Sequence, residues 1–275
     1  MFGVEVYWYA VCVMSGYLAA LITLRAIARK TGQNPDLYSD YIILTLVCGL
    51  IGARIYYVIF SFDSFRGNLW SIFALRDGGL GIYGGLILSG LYTIRFVRKR
   101  GVTYGLLSDT AGPAIAIGQF FGRIGNFFNR EAFGGYTDNL LAVQFRADQV
   151  FHMPPEARDA IIEINGIRYV QVHPFFLYEM LWNVMLFTFL LFFRKHKKFD
   201  GQIFMFYIIG YGTGRFWLEG IRTDQLMLFR TGLAVSQVLS GLLVVCTAAL
   251  MIYILIRDKN KILNNQADAQ ENENK

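Results

Sequence analysis

Charge is the first shortage in this chain. Of 275 residues only 17% are Asp, Glu, Lys or Arg, against about 25% in soluble domains. Disorder needs low hydrophobicity and high charge, so the scarcity excludes an intrinsically disordered chain. Five prolines exclude a collagen-like repeat, and three cysteines exclude a disulfide scaffold. The three histidines, His152, His173 and His196, form no pair with helical metal-ligand spacing, and no zinc motif is present. No predicted helix interior offers the Ser and His of an intramembrane serine protease, nor the repeated aspartates of a metal-dependent lipid-head transferase. Any enzymatic reading is thereby confined to metal-free chemistry.

Apolar residues are what the chain has. They make up 55% of it, with 16% aromatic, and the mean hydropathy is +0.39. This composition points to an all-α polytopic membrane protein. A spanning helix needs about 20 mostly apolar residues, and lipid forces backbone groups to bond within the segment. Seven segments qualify: 6–24, 41–60, 80–96, 104–128, 174–193, 202–218 and 233–256. The third and sixth are short and rich in glycine.

Every lysine falls in one set of alternating connections, with Arg25, Arg29, Arg95, Arg98, Arg100, Arg194 and Arg257. Basic residues accumulate on the cytoplasmic side, so this set places the N-terminus outside and the C-terminus inside. The net charge of +6 then reports topology, and no nucleic-acid partner is expected. The start, Phe2–Gly3–Val4–Glu5, has no basic run of the kind that opens a cleavable signal peptide. Residues 1–263 read as one transmembrane domain. Residues 264–275 read as a polar, disordered cytoplasmic tail. Cys12, Cys48 and Cys246 fall inside predicted helices and read as small packing residues.

One long exported segment runs from about 130 to 173. It contains Asn165–Gly166 flanked by alternating residues, the strongest short-range hairpin signal. A two-residue turn pairs Ile164 with Ile167, Glu163 with Arg168 and Ile162 with Tyr169. A small β-containing cap is expected, serving either as cover and substrate selection or simply as a packed loop.

Charged groups at membrane depth are costly and mark function. Arg54, Arg123, Glu131, Arg215, Glu219 and Arg222 each fall near the outer end of an apolar segment. Guanidinium is a planar fork suited to phosphate oxygens, so converging arginines suggest an anionic headgroup site; the alternative is snorkelling to the interface. In a helix, Arg123, Asn126 and Asn129 share one face. Ala114, Gly118 and Gly122, like Gly210 and Gly214, provide small-residue stripes for close helix packing. Residues 79–84 match G-x-G-x-x-G, but a dinucleotide loop needs a preceding strand. Tyr83 within that stretch is either catalytic or an interfacial aromatic.

Four motifs now carry a resemblance: GRIGNFFNREAFG at 122–134, GGLGIYGGL at 78–86, HPFFLYE at 173–179 and GRFWLEGIRTDQL at 214–226, with GAR at 52–54. In this order they resemble the bacterial prolipoprotein diacylglyceryl transferases over nearly the whole chain. The resemblance implies an enzyme moving a diacylglyceryl group from phosphatidylglycerol to the lipobox cysteine thiol of a prolipoprotein, releasing glycerol phosphate. It implies that Arg123 binds phosphatidylglycerol, that Asn126, Glu131 and Gly134 are signature positions, and that Arg215 is essential with Glu219 its partner. Tyr9 matches a required tyrosine in the first helix. The expected catalytic residues are Tyr83, Arg123 and Arg215; Arg54, Arg222 and the remaining residues are expected to bind substrate.

The implied partners are phosphatidylglycerol, the signal peptide of a prolipoprotein and the bilayer. The implied setting is a monomer in the bacterial cytoplasmic membrane, without metal or cofactor. Three motifs depart from the family: Tyr83 stands where some members carry a histidine, Tyr7–Trp8–Tyr9–Ala10 where the opening motif reads R-W-Y-G, and Phe176 where the fifth-helix motif has glutamine. Two rival readings share the arginines: a phospholipid transporter, and a lipid binder without chemistry.

Overall fold

All seven apolar segments are helical in the computed structural model, and most outrun their apolar cores. The structure describes residues 7–74, 78–150, 153, 158, 161–220 and 234–273, with side chains to residue 261. The helices are α1 (Trp8–Lys30), α2 (Pro35–Phe60), α3 (Ile82–Arg100), α4 (Tyr104–Asn129), α5 (Phe175–Phe193), α6 (Gln202–Glu219) and α7 (Val235–Glu273). Among the described residues four helices are long and apolar enough to cross a membrane: Trp8–Lys30, Pro35–Phe60, Phe175–His196 and Val235–Lys261. α3, α4 and α6 carry more glycine and polar groups.

Helix boundaries follow caps rather than hydropathy. α2 begins at Pro35, six residues before its apolar run, because Asn34 accepts a hydrogen bond from the Asp36 amide at 2.9 Å and proline suits the first helical position. α3 continues through its basic end to Gly101, whose φ of 66° closes the helix in the left-handed region. The expectation of a disordered tail from Asn264 differs from the structure, in which α7 continues as helix to Glu273. Ala, Gln and Glu in that stretch are good helix formers, and the apolar part of α7 supplies the nucleus.

The chain divides into two units, residues 1–20 with 111–275 and residues 21–110, so that α1 and α4 each run through the division. In the smaller unit α2 packs along α3. A Cβ at Gly52 would collide with the Gly84 carbonyl, and one at Gly84 with the Gly52 carbonyl, so both glycines are needed for this approach. The Gly81 amide donates to the Ala53 carbonyl at 2.9 Å beside that contact.

In the larger unit α1 meets α4 at Gly16, whose Cβ would lie 3.1 Å from the Gly118 carbonyl. The small-residue stripe of α4 is used at Gly118 but not at Gly122, which faces open space. α5 meets α6 where Trp182 Nε1 donates to the Gly210 carbonyl at 3.0 Å. Ala116, Leu186, Leu190, Ile203 and Tyr207 form a buried cluster around that contact. The cysteines are free: Cys12 is buried, Cys48 partly so, and Cys246 is exposed on α7, so packing accounts for the first and not the last.

Between α4 and α5 stands a three-stranded antiparallel sheet of β1 (Val143–Arg146), β2 (Ile161–Ile164) and β3 (Ile167–Val172), in the order β1-β3-β2. The hairpin register is Ile164 with Ile167, Glu163 with Arg168 and Ile162 with Tyr169, as the turn sequence requires. Asn165 and Gly166 take φ of 53° and 76°, the conformation that a two-residue hairpin needs and that Asn-Gly tolerates. Phe145, Val170 and Val172 of the sheet bury against Phe133 and Phe176. Burying each such side chain contributes roughly 1.5–3 kcal/mol, so the cap has a small core of its own, seated on the start of α5.

Candidate active site

The site grows from the end of α4. Arg123 and Asn126 are one helical turn apart, and Arg123 Nη1 donates to Asn126 Oδ1 at 3.0 Å. The helix ends at Asn129 and the chain reverses through Arg130 and Ala132, with φ of 52° and 53°. Left-handed backbone is unfavourable for residues other than glycine, and here it turns Glu131 back onto the helix. The Glu131 amide donates to the Asn126 carbonyl at 3.1 Å. Its Oε1 accepts from Asn126 Nδ2 at 2.9 Å and from Asn129 Nδ2 at 3.1 Å.

The returning chain is then tied to α5. The Gly134 amide donates to the His173 carbonyl, and the His173 amide to the Gly135 carbonyl, each at 3.0 Å. This pairing carries two of the sequence motifs and orients the first turns of α5, which present Glu179. Glu179 is buried. Its Oε2 lies 2.7 Å from Arg123 Nε, and its Oε1 accepts from Arg123 Nη2 at 3.0 Å and Arg215 Nη1 at 3.2 Å. Arg215, on α6, also pairs through Nη2 with Glu219 Oε2 at 2.8 Å, one turn further on. Asn126, Arg123, Glu179, Arg215 and Glu219 thus form one continuous chain across α4, α5 and α6. Tyr9 of α1 packs on the same end of α4: a Cβ at Gly125 would lie 2.8 Å from its ring.

Buried charges persist only when paired and hydrogen-bonded. Here two guanidinium forks and two buried carboxylates, Glu179 and Glu219, meet that condition with each other. A guanidinium that donates to a carboxylate also fits the oxygens of a phosphate. The arrangement is chemically suited to an anion carrying several oxygens.

The sequence-predicted residues Arg123, Asn126, Glu131, Arg215 and Glu219 are therefore brought together, with Gly134 contributing backbone and Tyr9 packing alongside. Arg222 lies outside the described residues, as does His152. Arg54 and Tyr83 belong to the smaller unit. Tyr83 sits in the first turn of α3 with its side chain exposed and its ring 6.2 Å from that of Tyr56.

Arg54 is placed differently from a substrate contact. It is buried, and its fork donates to five backbone carbonyls: Nε to Ile72 at 2.7 Å, Nη1 to Gly78 at 2.6 Å and Gly79 at 2.9 Å, Nη2 to Ser71 at 2.6 Å and Ala74 at 3.2 Å. Its guanidinium carbon also stands 5.3 Å from the centre of the Phe65 ring, within cation–π range.

Sequence reasoning missed Glu179. It is a carboxylate five residues inside an otherwise apolar segment, so the depth argument that singled out Arg123 applies to it equally.

The family model described as prolipoprotein diacylglyceryl transferase matches residues 1–253. A phosphatidylglycerol–prolipoprotein diacylglyceryl transferase of Shouchella clausii is 38% identical over 251 residues, covering 91% of this chain and 86% of that protein. Its namesake in Streptococcus pneumoniae strain Hungary19A-6 is 41% identical over 249 residues, covering 90% and 88%.

Proposed function

The chain belongs to the prolipoprotein diacylglyceryl transferase family, and on that premise we propose that it transfers the diacylglyceryl group of phosphatidylglycerol to the lipobox cysteine of prolipoproteins. The cysteine sulfur attacks the glycerol carbon that bears the phosphate. A C–S bond forms, the C–O bond to phosphate breaks, and glycerol phosphate leaves as an anion. The thiol proton goes to a base, since the thiolate is the nucleophile.

The observation that carries the reading is the pair of guanidinium groups, Arg123 and Arg215, held on one buried carboxylate. Donors fixed in advance where charge develops stabilise a departing anion without reorganising at the moment of reaction. We assign phosphate binding to these two. Glu219 orients Arg215. Asn126 orients Arg123 and is itself held by Glu131. Gly134 fixes the returning chain, and Tyr9 closes one side of the cluster. Tyr83 is assigned to proton transfer or hydrogen bonding at the thiol, although tyrosine is a weaker base than the histidine of some relatives. Arg222 is assigned by its motif alone, as a further phosphate ligand. For Arg54 the saturation of its fork by carbonyls supports a structural role over substrate binding.

The finer setting belongs to the same proposal. Seven spans with the N-terminus outside and the lysine-bearing connections in the cytoplasm would put the arginine cluster at the outer face of the cytoplasmic membrane. That is where a signal peptide presents its cysteine. The protein is proposed to act as a monomer.

The test incubates purified protein with phosphatidylglycerol and a lipobox peptide and follows the peptide by mass spectrometry. A diacylglyceryl adduct on the Cys peptide, absent from the Cys→Ser peptide and lost with Arg123→Ala, is expected. Phosphatidylglycerol bound without adduct would favour the lipid-binding or transport readings and overturn the transferase.

A further inference from the structure

Arg123 and Arg215 carry like charges, come from different helices, and reach the same oxygen. Glu179 Oε1 lies 3.0 Å from Arg123 Nη2 and 3.2 Å from Arg215 Nη1, while Oε2 takes Arg123 Nε at 2.7 Å. Two cations brought this close in a buried site repel unless an anion sits between them. Glu179 is that anion for the described residues, and its own position is fixed from two directions. The His173 pairing with Gly134 and Gly135 sets the start of α5, and Trp182, one turn beyond Glu179, is hydrogen-bonded to Gly210 of α6. The distance from α5 to α6 is therefore set by the protein before any lipid arrives.

We propose that Glu179 is a positioning residue for the transfer reaction: its carboxylate fixes the separation and orientation of the Arg123 and Arg215 forks that receive the phosphate. This rests on the assignment of those arginines to the phosphate. A guanidinium has five N–H donors. Glu179 engages two of Arg123 and one of Arg215, which pins each fork by part of its edge. A phosphate oxygen arriving at the cluster meets donors already spaced for a single anionic oxygen. Glu179 touches no reacting atom in this scheme and acts through the arginines.

Two substitutions separate this role from a packing role. Glu179→Gln keeps the shape and loses the charge, and it turns an N–H donor toward one of the arginines. Glu179→Asp keeps the charge and shortens the side chain by one methylene. If the bridging charge matters, Glu179→Asp retains more activity than Glu179→Gln. If only the filled volume matters, the order reverses. Misplacing groups that act in the transition state lowers kcat rather than raising KM, and displacement by about 1 Å can cost roughly a hundredfold.

The experiment measures kcat and KM for phosphatidylglycerol in vesicles, with a lipobox peptide, for the full-length wild type, Glu179→Gln, Glu179→Asp, Arg123→Lys and Glu179→Gln combined with Arg123→Lys. Rates are normalised to folded protein from a thermal unfolding curve. The expected result is a tenfold to hundredfold fall in kcat for Glu179→Gln with KM changed less than threefold. A smaller fall is expected for Glu179→Asp, and the double variant should fall short of the product of its single effects. Wild-type kcat in Glu179→Gln, an effect confined to KM, a reversed order of the two variants, or strict multiplicativity with Arg123→Lys would each overturn the proposal. Absence of adduct from the wild type would instead overturn the transferase reading, so the two failures are distinguishable.

Discussion

Arg54 and the Arg123–Arg215 pair are all arginines at the ends of apolar helices, and their surroundings are opposite. The Arg54 fork is filled by five backbone carbonyls. Carbonyls are fixed to the chain, and giving them up would leave the buried Arg54 guanidinium without partners, which costs about 1–3 kcal/mol or more for a charged group. Arg123 and Arg215 are held by carboxylates and an amide side chain, groups of the same charge class as the proposed ligand or of matching polarity. On the proposed reading, an arginine held by carbonyls ties the fold together, and an arginine held by a carboxylate serves an anion. What the guanidinium is bonded to, and not its depth, separates the two.

The sharpest way to break this comparison is at the pair itself. Arg123→Ala or Arg215→Ala should lower kcat/KM by roughly 10²- to 10³-fold, the range for removing one donor to a developing anion, measured as the initial rate of adduct formation. If either variant transferred at the wild-type rate, the carboxylate-held class would lose its meaning. Arg54→Gln should act through stability, lowering it by about 3 kcal/mol in a thermal or denaturant unfolding curve. Arg54→Lys should recover little of that, because an ammonium cannot span five carbonyls. A stable Arg54→Gln protein that no longer bound phosphatidylglycerol would move Arg54 into the other class.

Two smaller effects test the framework around each arginine. Gly52→Ala should destabilise by roughly 1–3 kcal/mol, because its Cβ would press on the Gly84 carbonyl in the unit that holds Arg54. Gly166→Ala, at φ of 76° in the cap hairpin, should cost about 1 kcal/mol, with transfer per folded molecule unchanged. A loss of transfer there without a loss of stability would implicate the cap in substrate handling.

Much of this architecture was legible in the residues. The seven helical segments follow from runs of apolar side chains about as long as a spanning helix, whose backbone groups bond within the segment. The hairpin register follows from one Asn-Gly pair, because a two-residue turn leaves a single way to align the strands. The shared face of Arg123, Asn126 and Asn129 follows from helical periodicity, and the structure adds Glu131 as the group that joins the two asparagines. What was not legible depends on partners far apart in sequence. Nothing local to Arg54 announces that its fork will be spent on carbonyls 17 to 25 residues away. Glu179 is 56 residues from Arg123 and 36 from Arg215, and only the packing of α5 against α6 makes it their common partner. Helix ends were misplaced for a local reason: Asn34 and Gly101 terminate helices by capping, which hydropathy does not sense.

The most direct test of the central claim counts both products of one reaction. Phosphatidylglycerol labelled in its head group and a lipobox peptide are incubated with the purified protein, and thioether and glycerol phosphate are quantified together. One glycerol phosphate released per diacylglyceryl-cysteine formed, with neither product from a Cys→Ser peptide, is the predicted result. Lipid bound at the arginine cluster with neither product formed, or glycerol phosphate released without thioether, would contradict the account.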